Sequence, residues 1–251
     1  VIFDCFRNEK TFSNGNLISF GHYENLIGFN GKVICGNINS ESDLENLFKT
    51  KFDFIFHKAA ISDTRVNNQE VLIKTNVNSF YKILDIAKKM NSVLVYASSA
   101  ATYGSSTSPQ KIGYESPNNP YGYSKLVMDK LANVFIKKNP HLTIVGLRYF
   151  NVYGSREFHK NKTSSTVIQF AHQILSGNSP KLFVDSDKIY RDFVYVKDVI
   201  KANLLASKAV SGIYNVGTGV PRSFQDIVDI IQKELKTNIS CEYINNPYRN
   251  N

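Results

Sequence analysis

Tyr121 and Lys125 stand four residues apart in the run Tyr121-Gly122-Tyr123-Ser124-Lys125. On a helix that spacing is about one turn, so both side chains lie on one face. A phenol titrates near ~10 and is a poor base at neutral pH. A lysine ammonium and an oxidised nicotinamide ring close by favour the phenolate and pull that pKa down. Upstream, the run Tyr96-Ala97-Ser98-Ser99-Ala100-Ala101-Thr102-Tyr103-Gly104 carries Ser99 at the end of an apolar, strand-like stretch. A hydroxyl there can hold a substrate oxygen between itself and the phenol. Ser99, Tyr121 and Lys125 thus supply what hydride transfer at a carbinol needs: an oxygen anchor, a proton acceptor and a cation. A tyrosine and a lysine on an ordinary surface helix are the bland alternative. The serine-rich strand end, and Asn118-Asn119-Pro120 immediately before Tyr121, weigh against it.

These groups need a scaffold. Residues 53–57, 93–97 and 143–148 are apolar runs of strand length, and 213–217 is another strand end. Between them, residues 77–90 place Phe80, Ile83, Leu84 and Ala87 on a helical stripe, and residues 124–138 do so with Leu126, Met128, Leu131, Val134 and Phe135. Strands alternating with helices of this length predict an α/β fold, a Rossmann-type doubly wound parallel sheet. After residue 150 the texture is more irregular. Helices are predicted over 163–175 and within 193–208, and Ser223 is predicted to cap a helix to about residue 235 with Asp226 in the capping-box position. The expected organisation is a dinucleotide-binding domain over 1–150 and a small substrate-binding lobe over 151–251, interleaved with the last sheet strands.

A dinucleotide fold usually opens with a strand, a glycine-rich turn and a helix. No G-x-x-G-x-x-G occurs in these 251 residues, and Val1-Ile2-Phe3-Asp4 has the character of a second strand's end. The expectation is that the chain is part of a longer one, its glycine-rich loop and its C-terminal end lying outside it.

Composition narrows the class. Apolar content of 42% and charged content of 20% are those of a globular domain. No stretch approaches the ~20 consecutive apolar residues of a membrane helix. Cys5, Cys35 and Cys241 are scattered and without metal-ligand spacing, which points to reduced thiols and a cytoplasmic protein. The five histidines form no metal cluster. The net charge of +9 comes from dispersed lysines rather than a dense basic tract, so a solvated basic surface is favoured over nucleic-acid binding.

Five blocks resemble the extended short-chain dehydrogenase/reductase family, in its nucleotide-sugar branch. They are residues 96–104, then Arg148-Tyr149-Phe150-Asn151-Val152-Tyr153-Gly154-Ser155-Arg156-Glu157, then Ser179-Pro180-Lys181-Leu182-Phe183, then Arg191-Asp192-Phe193-Val194-Tyr195-Val196, and 211–219. Within that branch, Arg156-Glu157-Phe158-His159-Lys160 and the Lys-Leu-Phe block resemble the ADP-glyceromanno-heptose 6-epimerases. The resemblance implies an isomerase that inverts C6 of an ADP-linked heptose by transient oxidation and hydride return, in heptose supply for lipopolysaccharide or capsule. It implies Tyr121 as acid/base, Lys125 as the residue that lowers its pKa and holds nicotinamide ribose, and Ser99 on the reacting oxygen. Lys160 matches the second acid/base, with a plain loop lysine as the alternative. Two bases on opposite faces suit an epimerase, since each orientation of the carbonyl intermediate then finds its own proton donor.

For the nucleotide sugar, Arg191 matches a diphosphate clamp, because guanidinium meets phosphate through a planar fork; its alternative is a partner for Asp192. Ser99, Asn151, Lys162, Gln169, Phe183, Val184, Asp185 and Ser186 match substrate-pocket positions, with loop or packing roles as alternatives at Gln169 and at 183–186. For the cofactor, Asp4 fits a ribose hydroxyl beside Cys5, and Arg7 or Lys10 fits a 2′-phosphate. NAD and NADP both stay open, the resemblance favouring NADP. Lys58, Ala59, Ala60, Ile61 and Ser62 follow a strand at its C-terminal edge, where dinucleotides bind. Val152 and Lys160 match further cofactor contacts, and Asn76 matches one or is a helix N-cap. A homo-oligomer is implied as well.

Competing readings are a UDP-hexose 4-epimerase, which shares Ser, Tyr and Lys, and a 4,6-dehydratase, disfavoured because Ala100-Ala101 replace an acidic pair after Ser99. A non-catalytic dinucleotide-binding protein is the alternative outside enzymes.

Overall fold

A computed structural model describes residues 1–246. The end of the lobe placed over 151–251 lies outside the described residues. The chain divides into two compact units. The first comprises Val1–Arg148 and Lys201–Asn215, the second Tyr149–Ile200 and the residues from Val216 onward. The division therefore falls beside residue 150, and residues 201–215 return to the first unit.

In the first unit, β1 (Ile2–Asp4) pairs in parallel with β2 (Val33–Cys35), followed by α1 (Glu41–Leu47). Next come β3 (Phe54–His57), α2 (Gln69–Leu72), α3 (Ser79–Met90), β4 (Val93–Ser99), α4 (Pro120–Lys138) and β5 (Ile144–Tyr149). A parallel sheet runs β3-β4-β5-β9, with β9 at Gly212–Val216. This is the Rossmann-like α/β arrangement predicted. The β-branched and apolar residues of β4 and β5 are buried on both faces, as sheets covered by helices require. Phe80, Ile83, Leu84 and Ala87 of α3, Leu94 and Tyr96 of β4 and Met128 and Ala132 of α4 form one core, so the predicted helical stripes are core faces.

Two helix starts differ from expectation. The helix placed over 77–90 is preceded by helical structure from Gln69 onward, capped by Asn68 and passing through a π-helical stretch, Ile73–Asn78. The helix placed over 124–138 begins at Pro120, because Asn119 accepts a hydrogen bond from the Gly122 N–H and Pro120 presets the first turn. Tyr121 is thus itself helical.

In the second unit, β6 (Asn151–Tyr153) and the later strand β10 (Pro221–Ser223) flank β8 (Tyr190–Tyr195). A second pair joins β7 (Lys181–Phe183) to β11 (Glu242–Ile244). α5 (Thr166–Leu175) starts at the Ser165 cap, three residues later than the helix predicted. α6 (Val196–Ala206) follows β8 directly, and α7 (Phe224–Leu235) closes the set. Ser223 and Asp226 form the reciprocal capping box expected of them. Phe170 and Ile174 of α5, Leu182, Phe193 and Ile227 and Val228 of α7 make this unit's core. Among the described residues, no helix is long and apolar enough to cross a membrane.

Candidate active site

The first unit brings Ser99, Tyr121 and Lys125 together. Ser99 ends β4, where its Oγ accepts from the Ala101 N–H at 3.1 Å and turns the chain. α4 then passes so close to that turn that a Cβ at residue 122 would collide with the Ala101 carbonyl, which explains Gly122. This approach puts the Tyr121 phenol in hydrogen-bonding contact with the Ser99 hydroxyl. Lys125, one turn on, is 2% exposed; its Nζ donates to the Ala97 carbonyl at 2.8 Å and lies 5.9 Å from the centre of the Tyr121 ring.

Burial dominates the electrostatics. It raises the phenol of Tyr121 above its ordinary value, against the Ser99 hydrogen bond. It lowers Lys125 to about 8, with the Asp129 carboxylate opposing. The expected lowering of Tyr121 by Lys125 is therefore not a property of the protein alone, because desolvation of the phenolate outweighs it here. A cationic nicotinamide ring, if bound beside the phenol, would supply the missing charge.

Behind Lys125 lies a buried ionic network that the sequence reading missed. Asp129 Oδ1 accepts from the Tyr96 hydroxyl at 2.8 Å, and its Oδ2 accepts from Ser98 Oγ and Arg148 Nε, both at 2.9 Å. Arg148 Nη1 donates to Glu115 at 2.6 Å, and its guanidinium lies 4.9 Å from the centre of the Tyr103 ring. A usable signal was present: Asp129 is a lone carboxylate on an apolar stripe, and Arg148 ends an apolar strand.

Residues expected at the cofactor gather at strand ends of the same unit. Lys58 to Ser62 leave the C-terminal end of β3. His57, which precedes them, is buried against the Phe80 ring, its Nε2 has no hydrogen-bond partner among the described residues, and burial with the Lys125 and Lys58 charges lowers it to about 3. Lys58, although exposed along its length, is lowered to about 7 by desolvation of its ammonium and by Lys125. Asn76 is neither an N-cap nor an open contact. It sits inside the π-helical stretch, fully buried, with Oδ1 accepting from the Ile61 N–H at 2.8 Å. Its Nδ2 donates to the Ile61 carbonyl and to Ser124 Oγ, each at 3.0 Å. These bonds hold the backbone of the 58–62 segment from behind.

Asp4 ends β1, where its Oδ1 accepts from the Phe6 N–H at 2.7 Å. Cys5, Arg7 and Lys10 are exposed beyond it. Partial desolvation of its sulfur and the Asp4 charge nonetheless raise Cys5, which stays a thiol. The buried Asp63 carboxylate accepts from Asn14 at 3.1 Å and Asn16 at 2.6 Å and so ties the loop after β1 to the chain after β3. These residues fit a nicotinamide dinucleotide at its nicotinamide and ribose ends: a buried lysine beside a phenol, a pinned small-residue segment, and a carboxylate at a strand end.

The second unit carries the remaining candidates. Glu157 accepts from the Gly154 N–H at 3.1 Å and from the N–H and Oγ of Ser165 at 2.8 and 2.9 Å. It thereby closes the loop that presents Lys160, half-buried in a 3₁₀ stretch, and the exposed Lys162. Gln169 turns inward, its amide donating to the Ser164 carbonyl at 2.7 Å, so it braces that loop. Asn151 and Val152 open β6; Phe183 ends β7, with Val184 exposed after it. Asp185 pairs with Lys188 at 2.9 Å, and the buried Ser186 hydroxyl has no hydrogen-bond partner among the described residues. The alternative role for Arg191 fails. Asp192 is occupied by the Thr218 N–H and hydroxyl and the Gly219 N–H at 2.7 to 2.8 Å, while Arg191 donates to the Tyr190 carbonyl. Arg222 stands directly opposite Arg191 in the β8–β10 register, a second guanidinium that the sequence reading missed. Among the described residues, no group of His, Cys, Asp or Glu is disposed to hold a metal ion.

Three comparisons bear on this arrangement. The profile of the NAD dependent epimerase/dehydratase family matches residues 7–217. An ADP-L-glycero-D-manno-heptose-6-epimerase from Brachyspira hyodysenteriae is 33% identical over 249 residues, covering 97% of this chain and 75% of the relative. The crystal structure of the Helicobacter pylori ADP-L-glycero-D-manno-heptose-6-epimerase superposes with a TM-score of 0.88 at 45% identity, over 98% of this chain and 76% of that one. A UDP-N-acetylglucosamine 4-epimerase from Methanobrevibacter ruminantium gives a TM-score of 0.84 at 29% identity, over 92% and 76%.

Proposed function

The chain belongs to the NAD dependent epimerase/dehydratase family, and from that membership we infer an ADP-glyceromanno-heptose 6-epimerase. It inverts C6 of ADP-D-glycero-D-manno-heptose to the L-glycero form. The observation that carries this is the Ser99–Tyr121–Lys125 cluster in a chain 45% identical to the Helicobacter pylori enzyme over 98% of its length. A 4-epimerase is the weaker reading, since its solved relative shares 29%.

A bound nicotinamide dinucleotide supplies the hydride acceptor and donor. Tyr121 takes the proton from the sugar hydroxyl and returns it, while the Ser99 hydroxyl holds that oxygen in place. Lys125 stabilises the phenolate, and it is the residue that would hold the nicotinamide ribose. Lys160 is the second acid/base, serving the opposite orientation of the carbonyl intermediate. Arg191, with Arg222 opposite it, meets the diphosphate, and Asn151, Lys162, Gln169 and the 183–186 turn bound the sugar. Asp4 takes the adenosine ribose, and Arg7 and Lys10 support NADP as the form used. Cys5, Val152 and the 58–62 segment complete the cofactor contacts, with Asn76 acting through Ile61. A cytoplasmic homo-oligomer supplying heptose for lipopolysaccharide or capsule follows from the same reading.

The test follows C6 configuration by NMR in the wild type, Tyr121→Phe and Lys160→Met with ADP-D-glycero-D-manno-heptose. Conversion by the wild type that falls by ~10² or more in each variant supports two acid/base groups. Turnover of UDP-glucose to UDP-galactose in place of the heptose would overturn the substrate, and an unimpaired Lys160→Met would overturn the second base.

A further inference from the structure

We propose that Asp129 is a positioning residue that holds Lys125 as an ammonium at the Ala97 carbonyl. The inference rests on the reading of Ser99, Tyr121 and Lys125 as the catalytic cluster. Asp129 follows Lys125 by one turn of α4, on the same face, and is 1% exposed. Its carboxylate grips the hydroxyls of Tyr96 and Ser98, the two residues that flank Ala97 on β4. Lys125 grips the carbonyl of Ala97 itself. One three-residue stretch of strand is thus clamped by two adjacent turns of a single helix, and the next residue along that strand is Ser99. Displacing Asp129 moves the acceptor of Lys125 and the anchor of the substrate oxygen together.

Charge argues the same way. The groups facing Lys125 are His57 and Lys58 at the end of β3, Tyr121 and Asp129 on α4, and the Ala97 carbonyl on β4. Arg148 of β5 lies behind Asp129, with Glu115 on its far side. Lys58 and burial both disfavour the ammonium; Asp129 is the anion that favours it. Three hydrogen bonds, from Tyr96, Ser98 and Arg148, together with the guanidinium charge, oppose the rise that burial imposes on that carboxylate. A neutral lysine cannot stabilise a phenolate, so a buried lysine in this place needs such a partner.

The test is side-chain NMR of 15N-lysine-labelled protein, with the Lys125 signal assigned from Lys125→Met, compared between the wild type and Asp129→Asn. The expected result is a titration midpoint of Lys125 lower by about 1 to 2 units in Asp129→Asn. The alkaline limb of the kcat profile should move down in parallel. Asp129→Asn leaves the Arg148 guanidinium short of a partner, so the double variant Asp129→Asn/Arg148→Met is measured too, with the same downward shift expected. A folded variant in which Lys125 titrates as in the wild type overturns the proposal, even if activity falls. Failure of the underlying site reading is separate: it shows as full activity in Tyr121→Phe, whatever Lys125 does.

Discussion

Replacing Asn76 by alanine tests whether the cofactor segment is held from behind. The side chain is 0% exposed and makes three hydrogen bonds: two to the backbone of Ile61 and one to Ser124. Ser124 retains its bond to the Tyr121 carbonyl at 2.7 Å, so its loss is small. The N–H and carbonyl of Ile61, itself 5% exposed, are left without those partners. An orphaned buried group costs ~1–3 kcal/mol, which puts Asn76→Ala at about 2–5 kcal/mol after partial relaxation. Equilibrium urea unfolding followed by far-UV circular dichroism measures this. Ser124→Ala serves as the comparison, since both Ile61 bonds survive it, and should cost about 1 kcal/mol. Because residues 58–62 lose their tether, dinucleotide affinity measured by calorimetry should weaken about tenfold, which corresponds to ~1.4 kcal/mol. An Asn76→Ala protein within about 1 kcal/mol of wild type and with unchanged dinucleotide affinity would refute the tether.

Three further outcomes are expected. His57 is held near 3 against an ordinary 6.5, so the unfolded chain binds the extra proton first; stability should fall as pH drops from about 6.5 toward 3, and His57→Phe should flatten that slope in acid-unfolding titrations. Gly122→Ala drives a methyl into the Ala101 carbonyl and should cost about 1–3 kcal/mol by thermal unfolding, with kcat lowered because Tyr121 shifts from Ser99. Glu157→Ala removes the acceptor for Gly154 and Ser165, so amide exchange across residues 158–165 should accelerate while exchange in β4 stays as in the wild type.

Periodic and capping signals carried the fold. The stripe of Phe80, Ile83, Leu84 and Ala87 is buried because a helix spanning a sheet must hide one face, and Ser223 with Asp226 makes its box because both groups lie within one turn. The start of α4 was placed four residues late, since Asn119-Pro120 is a start signal that outweighs the weak helix propensity of Gly122 and Tyr123. At the site, Tyr121 and Lys125 were legible because their spacing is local. The hydrogen bonds of Asn76 were not legible, for the opposite reason. Its position beneath Ile61 depends on a π-helical stretch and on packing across 15 residues of chain, neither of which leaves a periodic trace.

Sequence by itself determined which residue types were at hand and which pairs share a helix face: Tyr121 with Lys125, and Lys125 with Asp129. Tertiary structure decided what those side chains experience. Lys125 is lowered to about 8 and His57 to about 3 only because helices close over the ends of β3 and β4 and remove water. Asp129 meets Arg148 only because packing brings α4 and the end of β5 within ion-pair distance. Desolvation and long-range ion pairing depend on distances through space, and those come into being when the sheet and its helices pack.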